Sequence, residues 1–326
     1  MAKTLIGLDI GSHSLKVVEL RKTRNELILL SCGIKSIPRD TLIDEQHGLL
    51  RELFREAGVS GVKVKTSVSG KDIIIRYDVF PAMTKAALTH SLKFEHEKYI
   101  PFPLLECVVD IDIIGKRSDG TMNALIVSAK KAYIDERVKL IKKSGLLPQL
   151  ITTDAMALHQ SFIESPFFSR ENSCVILNLG YVVTNLIIVK NGEIIFSRDI
   201  NIGGDNFNRS LADNLGIPLD EAEKTKQEAK DSSIINSLSI DLNSLISEIE
   251  LSVAYSRKNH DLTNIECVYI SGGSSKLKGL TEILGNALDL KIDFWNPFIK
   301  LKKDREFKIL EEYYHDLILA LGIALS

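Results

Sequence analysis

The chain has 326 residues, a net charge of −2 and four cysteines, with the apolar and charged fractions of an ordinary globular protein. That charge balance excludes electrostatically driven binding to nucleic acid or anionic membrane, and the length allows two compact domains, each with its own core. Cys32, Cys107, Cys174 and Cys267 lie far apart with no CxxC spacing, which argues against a zinc site or disulfide framework and fits a reducing cytosol. In chain order, "MAKTLIGLDIG" lacks the basic-then-apolar layout of a signal peptide, and no later run reaches the ~20 apolar residues of a membrane span. Residues 5–10, 15–20 and 26–34 read as three short strands, joined through Gly11 and then "RKTRN", and "IDEQHGLLRELFREAG" follows with helical period. Residues 81–145 read as helix, strand, strand, helix, the pattern of a small inserted subdomain. The opening trio then recurs at residues 175–179, 184–189 and 193–200, joined through Gly180 and "KNG", where Asn191 and Gly192 suit a tight hairpin. "DNFNRSLADNLG" is the helix after this second trio. "LDEAEKTKQEAK" and "IDLNSLISEIELSVAYSRK" are further helices with a polar, serine-rich connection, and the strand "CVYISGG" leads into the helix "KLKGLTEILGNAL". Two related α/β halves result.

The repeated stretches "IGLDIGSHSLKVVEL" and "VILNLGYVVTNLIIV" each put a polar residue and a glycine between apolar runs. A glycine turn whose amides converge is an anion nest, and Ser12, Ser14 and Lys16 add hydroxyls and a positive charge beside Gly11. Asp9 ends the incoming strand and suits a magnesium ion held through water. In the second stretch Asn178, Gly180 and Thr184 stand at the matching places. Gly203 and Gly204 precede a helix, where amides are free to meet anionic oxygens. Gly272, Gly273 and Ser274 form a strand-to-helix turn able to lie flat against a nucleoside. Each turn alone reads as ordinary helix entry; their order along the chain points to a nucleotide held between two halves.

With these motifs the chain resembles the actin-like ATPase superfamily over essentially its whole length. The resemblance implies an α/β, actin-like (ribonuclease H-like) fold with two related halves and an inserted FtsA-type small subdomain. Its phosphate hairpins are residues 7–20 and 177–189, its adenosine turn residues 271–275, and its connecting helices "DAMALHQSF" and "HDLILALGIALS". The implied organisation is residues 1–80 for the first half, 81–150 for the subdomain and 151–171 for the first connecting helix. Residues 172–310 form the second half, with a helical insertion at about 205–262, and 311–326 form the second connecting helix. Glu223 and Lys226 match a helix flanking the adenosine, although lone charges of this kind more often make a solvated face. "LKFEHEKYIPFPLLECVVDIDIIG", "ALIVSAKK" and "NPF" are similar to the PilM family of type IV pilus assembly proteins. FtsA carries a membrane-binding amphipathic tail with no counterpart after "LGIALS", which favours PilM.

The PilM resemblance implies a cytoplasmic adaptor, peripheral to the inner membrane through partners, that binds ATP and Mg²⁺. It would dock the cytoplasmic N-terminal peptide of a PilN-like membrane protein between the subdomain and the first half. Other pilus assembly proteins and self-association are further expected contacts, and Ile100, Phe102 and Leu104 are candidate peptide contacts or subdomain core. The second hairpin departs from the family pattern: Asn178 replaces an aspartate, and Tyr181, Val182 and Val183 replace small and hydroxyl residues. That loss implies weak or absent hydrolysis. A nucleotide-free scaffold is the alternative. An FtsA-like division protein and a small-molecule kinase, for which Asp154 is the nearest acid, are the remaining readings.

Overall fold

The computed structural model describes residues 3–24, 26–117, 119–228 and 233–326. Asn25 in the first connection and residues 229–232 in the serine-rich connection therefore lie outside the described residues. The first half opens with β1 (Lys3–Ile10), β2 (Ser14–Lys22) and β3 (Leu27–Ser36), then α1 (Gln46–Ala57), β4 (Lys63–Val68) and β5 (Ile73–Pro81). Next come α2 (Lys85–Glu95), β6 (Cys107–Lys116), β7 (Thr121–Lys130), α3 (Lys131–Lys143), β8 (Leu147–Thr153) and α4 (Asp154–Ile163). The second half holds β9 (Cys174–Leu179), β10 (Thr184–Lys190), β11 (Glu193–Ile200), α5 (Gly204–Leu215), α6 (Leu219–Glu228) and α7 (Ser239–Asn259). It continues through β12 (Cys267–Ser271), α8 (Leu280–Leu288) and β13 (Ile292–Phe294), before β14 (Lys302–Lys303) and α9 (Ile309–Leu325).

The duplication read from the sequence is a duplication of topology. One sheet runs β14-β3-β2-β1-β4-β8 and the other β11-β10-β9-β12-β13, each with an antiparallel trio followed by two parallel strands. The central strands β9 and β10 are buried almost throughout, as their continuous apolar runs require. Asn191 and Gly192 both take positive φ, 54° and 82°, in the tight turn between β10 and β11. The third sheet, β5-β7-β6, belongs to the insertion and begins at Ile73, eight residues before the expected boundary. Its helix α3 sends Leu140 and Ile141 into the core of the first half, beside Leu50 and Leu53 of α1. At the other end, β14 pairs with β3, so the chain is back in the first sheet by Lys302.

Between the two large sheets lies a core that neither half owns. Leu5, Val18 and Leu29 of the first sheet, Ile176 and Ile187 of the second, and Trp295 all pack on α4 and α9. The expectation of separate cores therefore holds only in part: each half also has its own cluster, but this one is shared. At the crossing of α4 and α9 a Cβ on Gly322 would lie 1.9 Å from the Ala157 carbonyl oxygen, so only glycine lets the two backbones approach. Cys32, Cys174 and Cys267 are buried, and burial pushes the Cys32 and Cys174 thiols up to about 12.

Candidate functional site

The two halves face each other across a cleft of about 880 Å³ lined by both glycine hairpins, the Gly272–Ser274 turn, α6, α9 and the end of β4. In the first hairpin, antiparallel register sets Asp9 opposite Lys16, and the Lys16 ammonium lies 3.0 Å from Asp9 Oδ2. The turn is closed by Gly11 N–H donating to Ser14 O at 3.2 Å, and Ile37 N–H donates to His13 O at 2.8 Å. Ser12, His13 and Ser14 line the cleft. From outside, Arg137 of α3 donates through Nη1 to the Ile10 carbonyl at 2.8 Å, tying the inserted subdomain to this hairpin.

The second hairpin has the same shape and different commitments. Asn178 donates through Nδ2 to Asn185 Oδ1 at 3.0 Å and accepts from Ser271 Oγ at 3.3 Å. Asn185 in turn donates to Asp199 Oδ1 at 2.8 Å, and Asp199 Oδ2 accepts from Gly70 N–H of the first half at 2.6 Å. Asn178 thus belongs to a part-buried polar relay that runs from Ser271 through Asn185 and Asp199 to Gly70 of the other half. Gly180 N–H closes the turn on Val183 O, and the Thr184 hydroxyl donates to Ile202 O at 2.7 Å.

The amides at the start of α5 are not free, contrary to the sequence expectation for Gly203 and Gly204. Gly203 N–H donates to Asn206 Oδ1, Gly204 N–H to Gly180 O at 3.0 Å, and Asp205 N–H to Tyr181 O at 2.7 Å. The glycines serve close approach of another kind: a Cβ on Gly203 would lie 2.6 Å from Tyr181 O. The helix N-terminus holds the hairpin tip, since a carbonyl oxygen suits those orphan donors as an anion does.

On the far wall Ser274 Oγ donates to Gly180 O at 3.1 Å, and Gly272 N–H donates to His315 O of α9 at 3.0 Å. Lys276 pairs with Asp316 at 3.1 Å. Glu223 and Lys226 are not a solvated face. Lys226 is buried, 2.9 Å from Glu223 and 2.8 Å from Asn208 Oδ1, and both charged groups line the cleft. Burial lowers the Lys226 pKa against the pull of Glu223. Burial also works to raise Glu223, but Lys226 and the bonds from Asn208 and Gln227 together hold it below the usual carboxylate range.

A family model for the type IV pilus assembly protein PilM matches residues 7–326. The chain belongs to the PilM family. A solved PilM-PilN type IV pilus biogenesis complex is similar at 24% identity, with a TM-score of 0.87 over 98% of this chain and 97% of that one. The ethanolamine utilization protein EutJ of Carboxydothermus hydrogenoformans follows at 15% identity and a TM-score of 0.60, covering 99% of this chain and 89% of that one. The cell division protein FtsA of Staphylococcus epidermidis is 21% identical over 90% of this chain and 74% of its own length. The fold is that of the actin-like ATPases.

In this PilM-family chain the site also contains Asp154, which the sequence offers only as the nearest acid for a kinase, and two serines that sequence reading passes over. Asp154, at the start of a connecting helix, lines the cleft floor, where burial and then the Asp9 charge push its carboxyl up to about 6 against opposing bonds from Ser67 and Ser69. Ser67 and Ser69 lie at the C-terminal end of the parallel strand β4, where open α/β sheets place their ligands. That positional rule is the signal that could have found them. The expected peptide contacts divide differently. Ile100 is 2% exposed in the subdomain core and has no surface to offer a peptide, whereas Phe102 and Leu104 are half-buried against that core. Among the described residues no helix is long and apolar enough to cross a membrane.

Proposed function

We propose that this PilM-family protein binds ATP with Mg²⁺ between its halves and works as a cytoplasmic adaptor at the inner membrane. The adaptor docks the cytoplasmic N-terminal peptide of a PilN-like protein. The observation that carries the reading is a single cleft in which three lysines are each matched to a carboxylate: Lys16 to Asp9, Lys226 to Glu223 and Lys276 to Asp316. Phosphate oxygens exchange readily for a carboxylate on Lys16, and the Asp9 so released suits a hydrated magnesium ion. When bound, the metal neutralises charge on the phosphate oxygens. Ser12 and Ser14 supply hydroxyls on the same side, while Glu223 and Lys226 suit the nucleoside end. Opposite them Asn178 brings no charge and its amide is already committed, so hydrolysis is weak.

The similar solved complex pairs a PilM with PilN, which supports the same class of partner here. The docking face we favour is β8, the outer strand of the first sheet, whose Leu147 and Leu150 are 52% and 39% exposed. A free strand edge with apolar side chains suits an extended peptide. The nucleotide-free scaffold is favoured by one observation, the α5 amides already taken by the second hairpin. Calorimetry separates the two: binding of ATP that weakens without Mg²⁺ and in Asp9→Ala is expected, and no heat at millimolar nucleotide leaves the scaffold. For the partner, Leu147→Asp with Leu150→Lys should abolish binding of the PilN-like peptide. Deleting residues 81–145 is no substitute, because it strips Leu140 and Ile141 from the first half's core.

A further inference from the structure

The tips of the two hairpins meet through aromatic rings. His13 and Tyr181 stack with centroids 4.6 Å apart and planes 20° from parallel, one ring from each half. Neither backbone is loose: His13 O accepts from Ile37 N–H at 2.8 Å and Tyr181 O from Asp205 N–H at 2.7 Å. The Tyr181 ring also rests on the start of α5, with Cδ2 3.4 Å from where a Cβ of Gly204 would stand. Pinned backbones leave side-chain rotation as the way to part the rings. Phosphate binding asks for neither ring, since tip amides and small hydroxyls suffice for an anion nest.

We propose that the His13–Tyr181 stack is a specificity-determining latch that makes the cleft favour a nucleoside diphosphate over a triphosphate. The proposal rests on the nucleotide reading above and adds the selection. The stack bridges the two hairpin tips across the cleft, so a longer phosphate tail laid between the hairpins meets the rings where a shorter one does not. A diphosphate stops short of the tips and leaves the stack standing. A triphosphate has to part it, and an aromatic pair resists by an amount equivalent to about two- to twelvefold in affinity. The same stack joins the halves through their hairpin tips, so it also keeps the tips from opening.

The test uses the full chain with His13→Ala, Tyr181→Ala, the double variant and Tyr181→Phe. Calorimetry gives the affinities for Mg·ADP and Mg·ATP, and amide hydrogen exchange at both tips is followed without nucleotide. The wild type should bind the diphosphate more tightly. Each alanine variant should gain about two- to twelvefold for the triphosphate with the diphosphate nearly unchanged. The double variant should gain no more than either single one, because either change already breaks the stack. Tyr181→Phe should keep the wild-type ratio, and tip exchange should quicken only where the stack is lost. Diphosphate binding with an unchanged ratio in the alanine variants, or triphosphate binding weakened by them, overturns the latch alone. Absence of binding in all five proteins overturns the nucleotide reading and the selectivity together.

Discussion

Asn178 has partners on both sides, and that fixes what a carboxylate in its place would meet. It donates to Asn185 Oδ1, and Asn185 donates onward to Asp199. In Asn178→Asp the Asn185 amide can turn to serve the new carboxylate, but its oxygen then faces Asp199; either orientation leaves two acceptors opposed. The variant should lose about 1–3 kcal/mol of stability without ligand. Mg·ATP should restore more stability to it than to the wild type, as thermal unfolding with and without nucleotide can measure. Equal ligand effects on both proteins would show that position 178 does not sense the metal. Asp154 gives a pH-dependent test. Its carboxyl titrates near 3.8 when unconstrained and at about 6 in the fold, so between those values the folded chain holds a proton that the unfolded chain has lost. The favourable contribution is complete below 3.8 and is lost as pH rises through 6. Asp154→Asn, which cannot ionise, should therefore gain on the wild type by about 1–3 kcal/mol between about pH 4 and pH 7. Urea unfolding across that range measures it, and a constant difference would remove the burial argument.

Among the elements, α4 and α9 set the geometry on which both hairpins ride, and Gly322 is where they touch. Gly322→Val forces a side chain onto the Ala157 carbonyl, whose oxygen and carbon are the two nearest atoms and, being backbone, cannot rotate away. A loss of about 3 kcal/mol or more is expected, with reduced soluble yield and a lowered melting temperature. A variant as stable as the wild type would mean that the helices can slide apart. What the sequence discloses at this scale follows from what patterns encode. The two hairpin trios were legible because buried strands must be apolar and turns must carry glycine or Asn-Gly, and the insertion because its helix, strand, strand, helix pattern breaks the repeat. Strands β5, β8 and β14 were not, since β8 and β14 are part-exposed edges without a clean alternation and β5 pairs with β7, a strand distant in sequence. The site was half legible for a similar reason. Asp9, Lys16 and the Gly272–Ser274 turn announce themselves as polar or flexible groups in apolar surroundings. That the Gly203 and Gly204 amides bind the neighbouring hairpin, and that Asp154 turns into the cleft, depends on long-range approach that spacing does not carry.

For the whole molecule the deciding feature is the shared core. Trp295 has no exposed surface and packs edge-on against Phe162 of α4 at 5.2 Å, inside a cluster drawn from both large sheets. If the first half unfolded alone, it would strip α9 and β1–β3 from that cluster and leave the second half's apolar side chains in water. The two halves are therefore expected to unfold together. Links across the cleft add to this unequally: the Gly70–Asp199 bond is sheltered, whereas the Arg39–Asp220 pair at 3.3 Å is exposed and contributes at most about 1 kcal/mol. The inserted sheet differs, because Phe80, Leu88, Ile100, Met122 and Ile126 form a cluster of their own. Its helix α3, however, is anchored in the first half through Leu140 and Ile141. In a denaturant titration, emission from Trp295 should report one cooperative transition for both halves. Hydrogen exchange should release β6 and α2 at lower denaturant than β1 or β9, because those two elements lie outside the shared core. A Trp295 transition split into two steps would mean that the halves separate before either unfolds, and that α4 and α9 act as a hinge rather than as common core.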